Sequence, residues 1–222
     1  MAVRKYIIVV ASGVGKRMGE NTPKQFLLLK GKPVLVHTLE NIYKAGKEYS
    51  ILLVLNSRHL EVWEEIKAKY RLNIPHKVII GGKERFFSVK NAIDTIEDKE
   101  AWVAVHDGVR PLISKEIIDN CFSVAEKEGN AVCCMDCTDS VRIINKEGNQ
   151  SIDRGRVKLI QTPQCFALSV LRKAYLQPYR EEFTDDASVV ESLGEKITLC
   201  KGDRHNIKIT TPLDMTIAES LL

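Results

Sequence analysis

The sequence predicts an α/β fold, a mostly parallel sheet flanked by helices. Three observations carry this. Short β-branched runs recur along the chain, amphipathic stretches at helical spacing lie between them, and the two kinds alternate from end to end. With 44% hydrophobic and 28% charged residues in 222 positions, the chain has the mix of a soluble globular protein, large enough to need no disulfide or metal staple.

Taken in order, Tyr6–Val10 is the first strand-like run and Ile51–Leu55 the second. Val78–Ile80, Trp102–Val105 and Ala131–Cys134 continue the series. Each is apolar at consecutive positions, as central strands covered on both faces require. Between them, Leu60, Trp63, Ile66 and Tyr70 form one helical stripe with Glu61, Glu64, Glu65 and Lys69 on the wet side. Val89, Ala92, Ile93 and Ile96 form another. Ser114 caps a helix expected to run to about Gly129. This cadence implies right-handed crossovers and a doubly wound layer.

From Asp136 to Gln161 the cadence breaks. Ser140–Ile144, a turn over Asn145–Asn149 and Ser151–Arg154 predict a β-hairpin. A two-stranded ribbon is marginal alone, so it belongs to its own small unit or packs against another copy. The expected organisation is a single domain over 1–222 with this segment, about 136–160, as an appendage.

The formal charge of +4 and the lack of long like-charge runs give no nucleic-acid tail. No signal peptide and no membrane-length apolar stretch is present, so the expected location is cytoplasmic, without membrane or nucleic-acid partners. The six cysteines then read as thiols. Cys133, Cys134 and Cys137 are clustered, but their strand-like setting and the lack of a second ligand pair favour core packing over zinc.

Chemistry is concentrated after the predicted strands. Ala11-Ser12-Gly13-Val14-Gly15-Lys16-Arg17-Met18-Gly19 is followed by Pro23-Lys24-Gln25. Glycines beyond a strand's carboxyl end let backbone N–H groups reach phosphate. Met18 replaces the third glycine of a dinucleotide loop, which disfavours a nicotinamide oxidoreductase. Arg17 stands where a P-loop needs Ser or Thr. What remains is a glycine loop with Lys16, Arg17 and Lys24, suited to the charge of an attacked triphosphate, or else a plain turn with solvated cations.

His106-Asp107-Gly108-Val109-Arg110-Pro111 follows the fourth strand. Asp107 suits a magnesium ion or a sugar hydroxyl, and Arg110 suits orienting it; a surface ion pair is the bland alternative. Gly81-Gly82 precedes a helix carrying Ser88, an arrangement fit for a base edge or for an ordinary helix start. Thr211-Pro212 caps a last helix, and Lys208 lies in a strand-like run, pointing into solvent or into a site. Thr184-Asp185-Asp186 reads as a cap first and a site second.

In order along the chain, these motifs resemble the 2-C-methyl-D-erythritol 4-phosphate cytidylyltransferase family. They are Gly-x-Gly-x-Arg-Met, Pro-Lys-Gln, Gly-Gly-x-x-Arg-x-x-Ser-Val, His-Asp-x-x-Arg-Pro, Asp153-Arg154, Thr162-Pro163-Gln164, Thr-Asp-x-Ala-Ser and Asn-Ile-Lys-x-Thr. The resemblance runs from Tyr6 to the final helix.

It implies a Rossmann-like sheet with a projecting β-hairpin arm, a homodimer whose arms reach each other's active sites, and transfer of CMP from CTP to a phosphorylated polyol with Mg²⁺. By that resemblance Arg17, Lys24, Arg154 and Lys208 form the catalytic set. Ala11, Ser12, Gly13, Gly15, Gly82 and Ser88 bind the nucleotide. Asp107, Arg110 and Ser140 hold the acceptor, and Thr162 and Thr184 support it. Mg²⁺ would be held mainly by CTP phosphates, with Asp107 as a protein ligand. This chain departs from the family at Ser12 for Ala, Gly108-Val109 for Ala-Ala and Ser140 for Thr.

The chemistry agrees with these roles. The acceptor phosphate is already ionised, so cations matter more than a general base. Ribitol-5-phosphate cytidylyltransferases share several motifs but fit Asp153-Arg154 and Thr184–Ser188 less well. A nucleotide-binding regulator without activity is disfavoured by the joint retention of Arg17, Lys24, Asp107, Arg154 and Lys208.

Overall fold

The computed structural model describes residues 3–13 and 22–222. β1 (Arg4–Ala11) is followed by the short pair β2 (Leu28–Leu29) and β3 (Lys32–Pro33), then α1 (Val34–Ala45), β4 (Ser50–Leu55), α2 (Leu60–Lys69), β5 (Lys77–Ile80) and α3 (Arg85–Ile93). The chain continues through β6 (Ala101–Asp107), α4 (Lys115–Glu128), β7 (Asn130–Asp136), the hairpin β8 (Val141–Asn145) and β9 (Gly148–Ile152), and β10 (Lys158–Ala167). It ends with α5 (Leu168–Ala174), α6 (Asp186–Glu191), β11 (Leu199–Lys201) and α7 (Pro212–Leu221).

Seven strands form one sheet in the order β11-β7-β10-β6-β1-β4-β5. β1 pairs in parallel with β4 and β6, β4 with β5, and β7 with β11. Only β10 is antiparallel, wedged between β6 and β7. The apolar runs of β1, β4 and β6 bury both faces as their pattern requires. Val78–Ile80, expected as a central strand, instead lies in the edge strand β5 and leaves Ile80 54% exposed. On β1, Ile7, Val9 and Ala11 pack with α1, α2 and α4, while Tyr6 and Ile8 pack on the opposite side with α3, α5 and α6. Trp63, the centre of the predicted α2 stripe, is fully buried.

Local signals set the ends of α4. The Ser114 hydroxyl accepts from Ile117 N–H, and Gly129 closes the helix at φ 90°, where a side chain would be strained. Asp185 and Thr211 start α6 and α7 through capping boxes, with Pro212 in the first turn of α7. No described helix is long and apolar enough to cross a membrane.

Three boundaries differ from expectation. Helix α3 ends at Ile93, and Ile96 is buried in the turn beyond it. The hairpin lies where 140–154 was expected to form it, but the appendage around it is narrower than 136–160, because Asp136 completes β7 and Lys158 begins β10. Asn206–Thr210 is not a strand. Its backbone is tied through Ile209 N–H to the Val109 carbonyl, on the loop after β6 rather than at a sheet edge.

Candidate active site

The strand order turns back between β1 and β6, and ligands of open α/β sheets bind beyond the carboxyl ends at such a switch point. Here β1 ends at Ala11 and β6 at Asp107, with Val10 and Asp107 in register. A cleft of about 370 Å³ opens above them. Ala11, Ser12 and Gly13 line it, with Lys24 and Gly82 beside them and Asp107 and Lys208 at one end.

Hydrogen bonds fix the walls of this cleft. The buried Gln25 amide donates to the carbonyls of Ala11 (2.9 Å) and Gly13 (3.0 Å), so the Gln of Pro-Lys-Gln clamps the entrance to the glycine loop. Beside it, the Lys24 ammonium donates to the Ile209 carbonyl at 3.2 Å. Ser88 is fully buried and does not line the cleft. Its hydroxyl accepts from Gly82 N–H at 3.1 Å, donates to the Glu84 carbonyl and meets the Ser12 hydroxyl at 2.8 Å. It therefore holds the two loops that form the wall. Gly15 and Arg17, with Lys16, lie outside the described residues.

A second cleft, about 340 Å³, lies toward β10 and α6. Arg110, Thr162 and Thr184 line it together with Ile160 and Gln161. The two clefts share three residues, Arg85, Asp107 and Lys208. Asp107 is the hub, 7% exposed. Its Oδ2 lies 3.0 Å from Lys208 Nζ and 3.3 Å from Arg110 Nε, and its Oδ1 lies 4.0 Å from Arg85 Nε. Burial pushes this carboxyl up, but Lys208, Arg85 and Arg110 outweigh it and hold it below the usual carboxylate range. Lys208 thus points into the site, with its side chain 44% exposed.

The residues behind the hub serve it. Arg110 is buried, and besides Asp107 it donates to the Asn206 carbonyl at 2.7 Å. The register of β10 shifts between Ile160 and Gln164, and there Thr162 turns its hydroxyl to accept from Asp107 N–H at 3.0 Å. His106 Nδ1 lies 3.1 Å from the same hydroxyl; burial pulls this imidazole down to about 4, against the pull of Asp107, so it is neutral. Asn206 donates to the Thr162 carbonyl, which ties the Lys208 segment to β10.

Arg85, which stands in the Gly-Gly-x-x-Arg-x-x-Ser-Val motif, acquires its role only in the folded chain. Arg85 donates to both oxygens of the fully buried Asp186, at 2.9 and 2.6 Å, and Tyr175 donates to the same carboxylate at 2.6 Å. The Arg-x-x-Ser spacing was visible, but its partner lies 101 residues away.

Ser140 and Arg154 line neither cleft. Both are exposed on the arm, where Arg154 donates to the Thr138 carbonyl at 2.8 Å. Ile143 and Ile144 are also exposed there, Ile144 to 84%.

Comparisons with known proteins agree with this geometry. The family described as IspD, 2-C-methyl-D-erythritol 4-phosphate cytidylyltransferase, matches residues 5–222. A Porphyromonas gingivalis protein of that name is 47% identical over 223 residues, covering 100% of this chain and 99% of the relative. A Bacillus cereus protein of the same name is 38% identical, covering 97% and 96%. The solved 4-diphosphocytidyl-2C-methyl-D-erythritol synthase from Anaerococcus prevotii superposes with a TM-score of 0.84 at 25% identity, over 99% and 96% of the chains. The 2-C-methyl-D-erythritol 4-phosphate cytidylyltransferase of Francisella tularensis gives 0.79 at 28%, over 99% and 100%. The chain belongs to the 2-C-methyl-D-erythritol 4-phosphate cytidylyltransferase family.

Proposed function

We propose that the first cleft holds CTP and the second holds 2-C-methyl-D-erythritol 4-phosphate, with transfer taking place where they meet at Asp107 and Lys208. The transfer itself, of CMP from CTP with release of pyrophosphate, is the family's reaction in isoprenoid precursor synthesis. The observation that carries the assignment of clefts is their shared wall of Arg85, Asp107 and Lys208.

The acceptor phosphate oxygen attacks the α-phosphorus of CTP. A P–O bond forms to the acceptor, the bond to the bridging oxygen breaks, and pyrophosphate leaves. No proton has to be removed, so the obstacle is repulsion between two anions. Lys24 and Arg17 stabilise the charge on the attacked phosphate, and Lys208 sits where donor and acceptor approach. Gly82 and the Ser12 loop bracket the base. Arg110 and Thr162 hold Asp107 in place, and Thr184 borders the acceptor.

Asp107, ionised and facing both clefts, would be the residue to hold Mg²⁺ beside the triphosphate, giving up contacts with Lys208 and Arg110 to do so. Bound Mg²⁺ neutralises phosphate charge. The arm brings Ser140 and Arg154 to the acceptor of a second copy, a homodimer supported by the exposed Ile143 and Ile144 on a ribbon that needs a partner surface. The reaction is placed in the cytoplasm, where both substrates are small soluble anions.

The test is pyrophosphate release with CTP and Mg²⁺, offering methylerythritol 4-phosphate and ribitol 5-phosphate separately. Release with the first alone is expected. Release with the second alone would keep the nucleotide cleft and overturn the acceptor.

A further inference from the structure

Away from both clefts, three thiols from three elements converge. Cys121 on α4, Cys133 on β7 and Cys200 on the edge strand β11 have sulfurs all within 4.8 Å of one another. Cys133 and Cys200 face each other in register across the parallel β7–β11 pair, 3.5 Å apart. Cys121 and Cys133 are fully buried, and Cys200 is 6% exposed. The adjacent set that the sequence offered, Cys133 with Cys134 and Cys137, does not converge in this way, since only Cys133 of that set belongs to the cluster.

A single buried thiol is a small core hydrophobe and would mean nothing more. Three in mutual proximity have ligand geometry. Sulfurs bound at about 2.3 Å around a tetrahedral ion stand about 3.8 Å apart, so shifts of about 1 Å or less bring these three onto one ion. A buried site also needs a way in. Cys200 lines a cleft of about 600 Å³ at the sheet edge, whose mouth carries Cys134, Asp136, Asp203 and His205.

We propose that Cys121, Cys133 and Cys200 form a binding site for one thiophilic divalent cation of the Zn²⁺ type, entered from this cleft. Ligand type separates the site from that of Mg²⁺, which takes oxygen. Charge favours the divalent ion, because three thiolates around it leave one net negative charge, whereas around a monovalent ion they leave two in an apolar core. Binding releases the displaced thiol protons to solvent. The ion ties helix α4 to the edge strand that leads into the segment bearing Lys208.

The experiment titrates the reduced full chain, without oxygen, with Cd²⁺ and with Zn²⁺. A near-ultraviolet sulfur-to-cadmium band saturating at one equivalent is expected, and Zn²⁺ should displace it. Cys200→Ser removes a direct ligand and should weaken binding by at least the roughly tenfold that loss of an outer partner costs. Cys134→Ser, which removes a cleft thiol outside the cluster, should leave affinity unchanged. No saturation at one equivalent, wild-type affinity in Cys200→Ser, or an equal loss in Cys134→Ser would overturn the site. Should Cys200→Ser not fold, X-ray absorption of the Zn²⁺-loaded wild type answers the same question. Three sulfurs at about 2.3 Å support the site, and a shell of nitrogen and oxygen alone removes it.

Discussion

Arg85 grips the fully buried Asp186 with two parallel hydrogen bonds, 2.9 and 2.6 Å, while its Nε lies 4.0 Å from Asp107. One guanidinium thus links a carboxylate that nothing in solution touches to the carboxylate at the junction of the two clefts. Arg85 is a positioning residue, and Asp186 with Tyr175 fixes its fork. Asp186→Asn removes the charge that holds it. This should cost about 3 kcal/mol of stability, and the freed Arg85 should lower kcat more than it raises the KM for CTP. Tyr175→Phe leaves the ion pair intact and should cost about 1 kcal/mol with near-normal turnover. Urea melts and steady-state kinetics of both variants check this; an Asp186→Asn protein as stable as wild type would rule it out.

Lys24→Ala and Arg17→Ala should each lower turnover by about a hundred- to a thousandfold, equivalent to about 3–4 kcal/mol of transition-state stabilisation. Folding should change little in Lys24→Ala, because its ammonium borders an open cleft. The measurement is pyrophosphate release beside a thermal melt, and normal turnover in either variant would remove that residue from the transition state.

At Gly81 a Cβ would stand 2.5 Å from Ser12 Cβ and 2.9 Å from Ser88 Oγ. Gly81→Ala must push the Ser12 loop outward, and displacement of about 1 Å in a binding wall is costly. The KM for CTP should rise roughly tenfold or more, with a smaller change in the KM for the acceptor. Unchanged CTP affinity, read by initial rates, would mean that the loop gives way without consequence.

His106 is buried and neutral, with its pKa pulled from 6.5 down to about 4. Between those values the unfolded chain binds the extra proton, so stability is fully present above about pH 6.5 and is lost as pH falls toward 4. The loss attributable to this group is at most about 3 kcal/mol. His106→Gln keeps a hydrogen-bonding side chain but cannot titrate, so its urea midpoint should fall less between pH 7 and 4.5. Parallel profiles for the two proteins would assign the acid loss elsewhere.

Arg154→Ala should impair acceptor use more than CTP binding. Mixed with Lys24→Ala, it should recover part of the activity, since a hybrid dimer would carry one site with both residues intact. The mixing assay needs only the two inactive variants, and a mixture no better than its parts would count against arm exchange.

The alternation of elements was legible because strands covered on both faces must be apolar at consecutive positions, and helices must be apolar at every third or fourth. Ser114, Gly129, Thr211 and Pro212 marked their helix ends through bonds within a few residues, which sequence records directly. Ala11–Gly13, Lys24, Gly82, Asp107 and Lys208, singled out by their places after strands or in ordered motifs, all line the first cleft.

Other features were decided only by tertiary structure. β10 enters the sheet antiparallel, and Asn206–Thr210 fails to become a strand, because their partners are distant backbone groups with no local signature. Arg85 gains its role from Asp186 and Tyr175, Gln25 from the carbonyls of Ala11 and Gly13, and the Cys121, Cys133 and Cys200 cluster from three separate elements. By itself the sequence determined which segments bury and which residue types stand at strand ends, since burial period and turn chemistry are local. Which charges meet at Asp107 was settled by the fold, since Coulomb attraction acts across space and not along the chain.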